Sequence, residues 1–331
     1  MGKTTVAAAL AVEGARQGRR TVVLTIDPAK RLADALGLAT LTDIPRRIEG
    51  DWPGELWALM LDSRSTFDAL VGTYAPDPDQ AAAILANRFY RNIAGALSGT
   101  QEYMAMEKLF ELHVDERFDL VVVDTPPTRN ALDFVNAPRR LTRFLDNRLF
   151  RLLMLPARTG FRAVNVATQA FVRTVGKVVG ADVVSDAVTF FQAFEGMEDG
   201  FRQRAQRVLD LLSDPATAFV LVTAPRRDAA REAEFFAERL KDAGIGVQGL
   251  VVNRMHPRFP AVDPAAGAGV DALHPLYRNL AELARMASGE EEHVAALAAR
   301  LAAPTVRVPE LETDVHDLSG LARIARYVFG G

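Results

Sequence analysis

Short apolar runs rich in β-branched residues alternate along the chain with segments whose apolar residues recur every three or four positions. Most of these runs end in a polar or acidic residue, as buried parallel strands do when a functional loop follows them. Strands that alternate with helices are typical of a doubly wound, mostly parallel α/β sheet. The predicted strands are residues 21–27, 56–62, 119–124, 218–223, 248–253 and 305–308, and the helical patterns between them include 4–17, 226–242 and 315–327.

Two intervals between predicted strands are much longer than a crossover helix requires and contain no convincing strand. They predict a helical subdomain inserted into the sheet domain. We expect a sheet domain of residues 1–62, 119–127 and 215–331 and an inserted α-helical subdomain of residues 63–118 and 128–214. The predicted helical segments of the insertion are 78–97, 101–114, 141–155, 161–179 and 182–212, and 257–269 is predicted to be a flexible loop.

Composition excludes several classes of protein. The formal net charge of −3 argues against nucleic acid as a partner, because phosphate backbones require a concentrated basic face. The absence of cysteine excludes disulfides and thiolate metal ligands and is compatible with a reducing compartment. No apolar run approaches the roughly 20 residues that span a bilayer, and no secretory signal pattern is present. The expected location is cytoplasmic.

Gly2-Lys3-Thr4 matches the last part of a phosphate-binding loop, G-x-x-x-x-G-K-[ST]. In such a loop backbone N–H groups surround the phosphates, the Lys meets the terminal oxygens and the hydroxyl binds Mg²⁺. The helix that follows would direct its positive N-terminal end at the anion. On its own this short match could equally be a surface helix start, so the interpretation depends on two further loops.

Asp27 and Asp124 supply those loops, since each follows a predicted strand, in Asp27-Pro28-Ala29 and Asp124-Thr125-Pro126. Acidic residues at the carboxyl ends of neighbouring parallel strands lie where such folds bind ligands. One can orient water and the other can hold the Mg²⁺ shell. The alternative is that each Asp caps the next helix. Three matching elements in this order favour an ATP site.

With these loops in place, the sequence resembles the ArsA-like ATPases, P-loop NTPases of the deviant Walker A type. They include arsenite-pump ATPases and the eukaryotic targeting factor for tail-anchored membrane proteins, and their loop reads K-G-G-V-G-K-T-T. The resemblance continues over nearly the whole chain, in Leu32 and Asp34-Ala35-Leu36, in Pro127-Thr128 and Ala131-Leu132, in Val251-Val252-Asn253-Arg254, and in Val308-Pro309-Glu310-Leu311.

The resemblance implies ATP and Mg²⁺ as cofactors and gives roles to the residues around the phosphates. Lys3 would meet the β- and γ-phosphates, Thr4 would be a ligand of Mg²⁺, and Thr5 would touch the α-phosphate. Asp27 would polarise the attacking water. Asp124 would act through the water shell of the metal.

On the base side, the resemblance implies adenine contacts from Asn253, Arg254, Pro309 and Leu311. The amide of Asn253 would pair with adenine, because it offers both a donor and an acceptor. The alternative for Asn253 is a turn residue at the end of a strand.

The sequence departs from the family pattern at its start. The family's first strand and most of its loop, with a signature Lys that reaches the partner's phosphates in a dimer, do not occur before Gly2, and Met1 stands where the family has Val. We hypothesise that a GTG Val codon was taken as the start of translation. We therefore expect the sequence as it stands to fold poorly and to hydrolyse ATP slowly or not at all.

The second departure concerns metals and dimers. Related pumps bind metalloid through Cys thiolates, and the targeting factor joins its dimer through a Cys-x-x-Cys zinc site, so the lack of cysteine leads us to expect no zinc. A homodimer, or a heterodimer with a paralogue, would be held by side-chain packing and nucleotide.

The insertion has two interpretations. Its apolar residues between 144 and 155 and between 161 and 179, with Met104 and Met106, could form a groove for an apolar client segment, rimmed by arginines at 139–158. Alternatively they form the core of a helical bundle.

Three functions follow from the resemblance: a dimeric switch ATPase that captures or targets apolar protein segments, an ATPase subunit that energises or regulates a membrane transporter, and a weakly active nucleotide-binding partner in a heterodimer. A membrane-positioning variant is disfavoured, because the tail 318–331 carries only Arg323 and Arg326 as basic residues.

Overall fold

A computed structural model gives the fold of residues 2–27, 29–88, 90, 100–126, 128–146, 186, 189–190, 193, 196–263, 265 and 273–330. The chain forms two compact units. The first comprises Met1–Met60, Asp115–Leu132 and Ser213–Gly331, and the second comprises Leu61–Val114 and Asp133–Leu212. The predicted sheet domain and helical subdomain divide the chain at similar positions, and their standing as separate domains stays a prediction.

The predicted helical segment 161–179 lies outside the residues that the structure describes, as do parts of 78–97, 141–155, 182–212 and 257–269.

The first unit contains two sheets and the helices that pack on them. Its strands are β1 (Arg20–Thr25), β2 (Arg46–Ile48), β3 (Glu55–Met60), β4 (Leu120–Asp124), β5 (Val220–Thr223), β6 (Gly249–Met255) and β7 (Thr305–Pro309). In chain order the helices are α1 (Lys3–Arg16), α2 (Arg31–Ala35), α3 (Ser63–Tyr74), α4 (Pro78–Ala86), α5 (Thr100–Val114), α6 (Thr128–Leu145), α7 (Glu198–Ser213), α8 (Arg227–Asp242), α9 (His274–Leu301) and α10 (Leu318–Phe329). Helices α1, α2, α8, α9 and α10 belong to the first unit. Helices α3, α4, α5 and, except for its last residue, α7 belong to the second unit, and α6 begins in the first and continues into the second.

The strand pairing is almost entirely parallel. One sheet has the order β2-β3-β1-β4 and the other has the order β5-β6-β7. Every pair is parallel except β2 with β3. All six predicted strands are present, and the prediction of a mostly parallel α/β fold is confirmed.

Strand β2 and helices α2, α3 and α9 were not predicted, and α6 begins at Thr128, well before the predicted segment 141–155. The antiparallel strand β2 has three residues, of which two are exposed, so it carries no apolar pattern to find. Helix α9 is 28 residues long, but only four of its residues are buried, and two of these are alanines. Its long exposed surface explains why apolar periodicity did not reveal it.

Helix α1 packs closely on the first sheet. An added Cβ at Gly14 would stand 2.6 Å from the hydroxyl oxygen of Thr21 and 2.7 Å from a methyl carbon of Leu120. Only glycine therefore allows the backbone of α1 to approach β1 and β4 so closely. Helix α1 belongs to one continuous apolar core that includes Leu56 in the first sheet, Val251 in the second and Leu321 of α10.

Within the second unit, a buried ion pair joins α5 to α7. The Glu107 side chain is 1% exposed, and it accepts a hydrogen bond of 2.7 Å from Nε of Arg204. Tyr103 donates to the same carboxylate, and the Arg204 guanidinium stacks on Phe110 at 3.9 Å. These partners satisfy a charge that would otherwise be costly to bury.

Met104 and Met106 lie in the interior of this unit, with 1% and 0% of their surfaces exposed. Because the structure places these two side chains in a core, they do not line a groove that is open to a client segment. Among the helices that the structure describes, none is both long enough and apolar enough to cross a membrane.

Candidate active site

Lys3 lies at the start of α1, where Gly2 adopts a left-handed backbone conformation with φ of 80°. Its Nζ donates a hydrogen bond of 2.8 Å to the carbonyl oxygen of Pro126, just beyond β4. Burial lowers the pKa of the Lys3 ammonium, against the opposing effect of the nearby Asp124 and Asp27 carboxylates. A half-buried cation is thus held beside two anions at one sheet edge.

Asp124 ends β4 and is 2% exposed. The register pairs it with Thr25 of β1, whose hydroxyl donates to the carboxylate at 3.0 Å, and Thr4 also hydrogen-bonds to it. Burial raises the pKa of Asp124, although these hydroxyls and Lys3 favour its ionised form. The carboxylate is therefore desolvated and fixed in orientation.

Asp27 follows β1 by two residues and remains more open, with its side chain 22% exposed. It accepts a hydrogen bond of 3.0 Å from the backbone N–H of Ala29 and lies 3.6 Å from the guanidinium of Arg31. The N-cap of α2 is Lys30, so Asp27 caps no helix in this structure. The alternative of a simple helix cap therefore does not describe Asp27.

Gly2 lies against the end of β6. A Cβ added at Gly2 would stand 2.1 Å from Nδ2 of Asn253, which is 6% exposed. The Asn253 Oδ1 accepts a hydrogen bond of 3.0 Å from the backbone N–H of Arg254. The structure thus places the Asn253 amide beside the loop predicted to hold phosphate, with its oxygen already engaged.

Of the other residues predicted on the base side, Arg254 follows Asn253 on β6, Pro309 ends the neighbouring strand β7, and Leu311 comes shortly after it. Asn253 pairs with Val308, and Met255 pairs with Pro309 across a bulge. Leu311 lines a cleft that continues along the loop before α10. Arg254 is exposed, has φ of 63° and lies 4.0 Å from the Asp314 carboxylate.

Thr5 occupies the first turn of α1 beside Thr4, and both are half-buried. A second cleft begins at Lys3 and Thr125 and extends along β5 and α8. It gives the Lys3 ammonium access to space that a ligand could fill.

The sequence analysis did not identify three further groups around Lys3. They are the Thr25 hydroxyl, the Pro126 carbonyl and the carboxylate of Glu232, which favours the charged form of Lys3. Thr25, a polar residue at the buried carboxyl end of β1, could have been identified from the sequence. The Pro126 carbonyl and Glu232 come close to Lys3 only through the tertiary fold, so no local sequence pattern indicates them.

The arrangement fits a phosphate group with a divalent cation. Within the part of the chain that the structure describes, no side chain caps the N-terminus of α1, so its first amides are available to an anion. Lys3 supplies positive charge, and the Thr4 hydroxyl with Asp124 supplies the hard oxygen atoms that Mg²⁺ prefers. Among the described residues, no group of three or more His, Asp or Glu side chains could hold a metal by itself.

The fold and these three loops define a P-loop NTPase. A sequence model of anion-transporting ATPases matches residues 1–263, and the chain belongs to this ArsA ATPase family. The family predicted from the sequence is thereby confirmed.

Three relatives show how far this similarity extends. Uncharacterized protein SCO2128 of Streptomyces coelicolor is 32% identical over 267 residues, which cover 79% of this chain and 62% of that protein. ATPase GET3B of Arabidopsis thaliana is 26% identical over 275 residues, 78% of this chain and 62% of the relative. Putative arsenical pump-driving ATPase 2 of Aquifex aeolicus is 24% identical over 273 residues, 78% of each chain. The chain thus spans about three fifths of the length of the first two.

Proposed function

We propose that this protein binds ATP with Mg²⁺ and hydrolyses it at the carboxyl edge of the sheet. The observation that carries the proposal is the position of Lys3, whose half-buried ammonium interacts with the carboxylates of both Asp27 and Asp124. Three loops that are far apart in the sequence meet there. Structural ion pairs rarely combine such a triad with an uncapped helix N-terminus and an adjacent cleft.

Each group has a role that follows from its surroundings. Lys3 would hold the terminal phosphates, and Thr4 with Asp124 would hold Mg²⁺, Asp124 through a water molecule. Asp27 is the more open carboxylate, so it would orient and polarise the attacking water. When bound, Mg²⁺ neutralises phosphate charge, as in other phosphoryl-transfer sites.

Nucleotide binding would also change the pairing of Lys3. Its Nζ now bonds to the Pro126 carbonyl, which belongs to the loop that follows Asp124. A phosphate that recruits the ammonium would release this loop. The proposed switch therefore couples occupancy of the site to the segment that leads into α6.

For the coupled process, we propose capture or targeting of apolar protein segments by a dimeric switch ATPase in the cytoplasm. The names of two relatives, ATPase GET3B and putative arsenical pump-driving ATPase 2, suggest different coupled processes. The absence of cysteine from the 331 residues favours the first, because a metalloid site of thiolates cannot be built from them. Energising a membrane transporter is the alternative, and a weakly active nucleotide-binding partner in a heterodimer is the third candidate.

ATP binding and hydrolysis test the site directly. Lys3→Met should weaken ATP binding at least about tenfold, because a charge-assisted phosphate contact contributes roughly 1.5 to 3 kcal/mol. Asp27→Asn should keep ATP binding and slow phosphate release by about 100-fold or more. Calorimetric titration with and without Mg²⁺ and a phosphate-release assay measure both.

Lys241→Met is the matched control, since Lys241 is exposed at the end of α8. Equal ATP affinity and turnover in the Lys3→Met and Lys241→Met variants would exclude the proposed site.

Copurification tests the coupled process. The Asp27→Asn protein, held with ATP and Mg²⁺, should retain proteins with exposed apolar helices. Recovery of a permease instead would favour the transporter alternative, and turnover that appears only after a paralogue is added would favour the heterodimer.

A further inference from the structure

A carboxylate of helix α9 holds the residue that follows β6. Glu290 accepts a hydrogen bond of 3.0 Å from the backbone N–H of His256, and its other oxygen lies 2.8 Å from Nδ1 of the same residue. Because an ionised carboxylate only accepts hydrogen bonds, Nδ1 carries the hydrogen in this contact. One side chain thus binds both the backbone and the ring of His256, and we call this pair of bonds the clamp.

The clamp is largely shielded from water. The Glu290 side chain is 16% exposed and the His256 side chain is 27% exposed. Hydrogen bonds to a charged group are stronger than those between neutral groups, and burial strengthens them further. The clamp therefore holds the chain more firmly than an exposed ion pair on a helix surface would.

The segment just before the clamp is strained. Arg254 has φ of 63°, and the pairing of β6 with β7 shifts between Asn253 and Met255. A residue with a Cβ keeps such a conformation only where its surroundings fix the chain around it. The Met255 carbonyl accepts a hydrogen bond of 2.8 Å from the Glu310 N–H, and the clamp fixes the residue that follows.

This strained segment carries an amide that lies against the proposed phosphate loop. Asn253 is 6% exposed, and a Cβ added at Gly2 would stand 2.1 Å from its Nδ2. Its Oδ1 accepts a hydrogen bond from the backbone N–H of Arg254. The orientation of the Asn253 amide is therefore tied to the strained backbone, and the strained backbone is tied to α9 through the clamp.

The ion pairs beside the clamp are more exposed. Glu291 lies 2.7 Å from the guanidinium of Arg307 in β7 and 3.8 Å from that of Arg258, and these two arginine side chains are 38% and 83% exposed. Exposed pairs of this kind contribute little to stability. Arg307 pairs with Val252, which precedes the irregularity in β6. Loss of Glu291 would therefore leave the clamp and the strained segment in place.

We propose that Glu290 is a positioning residue of the nucleotide site: through His256 it holds the end of β6 so that the Asn253 amide stays beside the phosphate loop. The inference rests on the proposed function, because it assumes a nucleotide whose phosphates lie at Lys3. Asn253 is predicted to meet the base, whereas Lys3 meets the phosphates. Loss of the clamp should thus weaken binding of a nucleotide and spare binding of a bare polyphosphate.

Calorimetric binding of ATP and of inorganic tripolyphosphate, each with Mg²⁺, tests this separation. Glu290→Met keeps the length of the side chain and removes both acceptor oxygens. It should raise the Kd for ATP by at least about fivefold, as the loss of a charge-assisted hydrogen bond does. The Kd for tripolyphosphate should change by less than about twofold, because the N-terminus of α1 is unaltered. Asn253→Ala should separate the two ligands in the same way.

Glu290→Gln should rescue the clamp. Its oxygen can accept from the His256 backbone N–H, and its amide can donate to Nδ1 of the other imidazole tautomer. This variant should bind ATP within about twofold of the wild type, because both hydrogen bonds are retained. Glu291→Met is the matched control, since it breaks the neighbouring ion pairs and keeps the clamp, and it should bind ATP equally well.

The His256 amide reports on the clamp without any ligand. Its hydrogen exchange in the nucleotide-free protein should accelerate by about tenfold or more in Glu290→Met, because the bond that protects it is lost. In Glu290→Gln and Glu291→Met the exchange rate should stay near that of the wild type.

Three results would overturn the inference alone: unchanged ATP affinity in Glu290→Met, equal weakening of ATP and tripolyphosphate, or a Gln variant as weak as the Met variant. Failure of the wild type to bind either ligand would overturn the proposed function, and this inference with it.

Discussion

Asp124 is a residue of the proposed site whose ionised form lowers the stability of the folded protein, because it is buried. Burial raises its pKa above the ordinary value of 3.8, even though Thr4, Thr25 and Lys3 favour the ionised form. The folded protein therefore binds this proton more tightly than the unfolded chain. Its stabilising contribution is full below the unfolded pKa and is lost as pH rises through the folded pKa.

Asp124→Asn should therefore stabilise the protein at pH 7 in the absence of Mg²⁺. The amide can still accept from Thr25, and the cost of a buried carboxylate disappears. We expect a gain of about 1 kcal/mol, or roughly 2 to 4 °C in melting temperature, that shrinks as pH falls towards 4. Thermal melts of both proteins across this range measure it. A variant less stable than wild type at pH 7, or a difference that is constant with pH, contradicts this account.

Arg254 has a left-handed backbone at the bulge between β6 and β7, with φ of 63°. For a residue with a Cβ this conformation costs about 1 to 2 kcal/mol. The side chain is 60% exposed and its contact with Asp314 is long, so surface pairing offsets little of that cost. Strain of this kind at a predicted binding residue is typical of functional sites.

Arg254→Gly should consequently be more stable than Arg254→Ala by about 1 kcal/mol, since both lose the side chain and only glycine relieves the backbone. Chemical denaturation of the two variants gives the difference. Equal stabilities would mean that the backbone conformation at this position is not strained.

At the scale of elements, Gly14 allows helix α1 to pack closely on the first sheet. A Cβ there meets Thr21 and Leu120 at less than 3 Å, and neither strand can retreat without disturbing the core. In α9, by contrast, a Cβ at Gly289 meets nothing within 4 Å. The two helical glycines thus differ in packing and share the same helix propensity.

Gly14→Ala should destabilise the protein by about 1 to 3 kcal/mol through overpacking. Gly289→Ala should stabilise it by up to about 1 kcal/mol, because alanine is the better helix former. Urea denaturation of both variants measures the contrast. If both substitutions stabilised the protein, α1 would not pack on β1 and β4 as the structure shows.

The elements that the sequence predicted are those with a strong local pattern. The apolar runs ending at Asp27 and Asp124 marked β1 and β4, and the periodicity after Lys3 marked α1. Helix α10 begins at Leu318, three residues later than predicted, because Asp317 accepts a hydrogen bond from Gly320 N–H and fixes the N-cap. Strand β2 has no such pattern, because it is short, basic and antiparallel.

For the molecule as a whole, the sequence predicted which loops would meet, but not how the sheet is divided. Strand periodicity contains no information on how strands are grouped, so the four-stranded and three-stranded sheets emerged only from the fold. The partners of Lys3 illustrate the same limit: Asp27 and Asp124 follow from strand ends, whereas Pro126 and Glu232 become neighbours only through tertiary packing. The coupled process stays a proposal.

A crystal structure of the Asp27→Asn protein with ATP and Mg²⁺ would test the central claim most directly. The triphosphate should lie at the N-terminus of α1 in contact with the Lys3 ammonium. The metal should bind the Thr4 hydroxyl, with Asp124 reaching it through water. A triphosphate bound away from Lys3, or a metal with neither Thr4 nor Asp124 in its surroundings, would contradict the account.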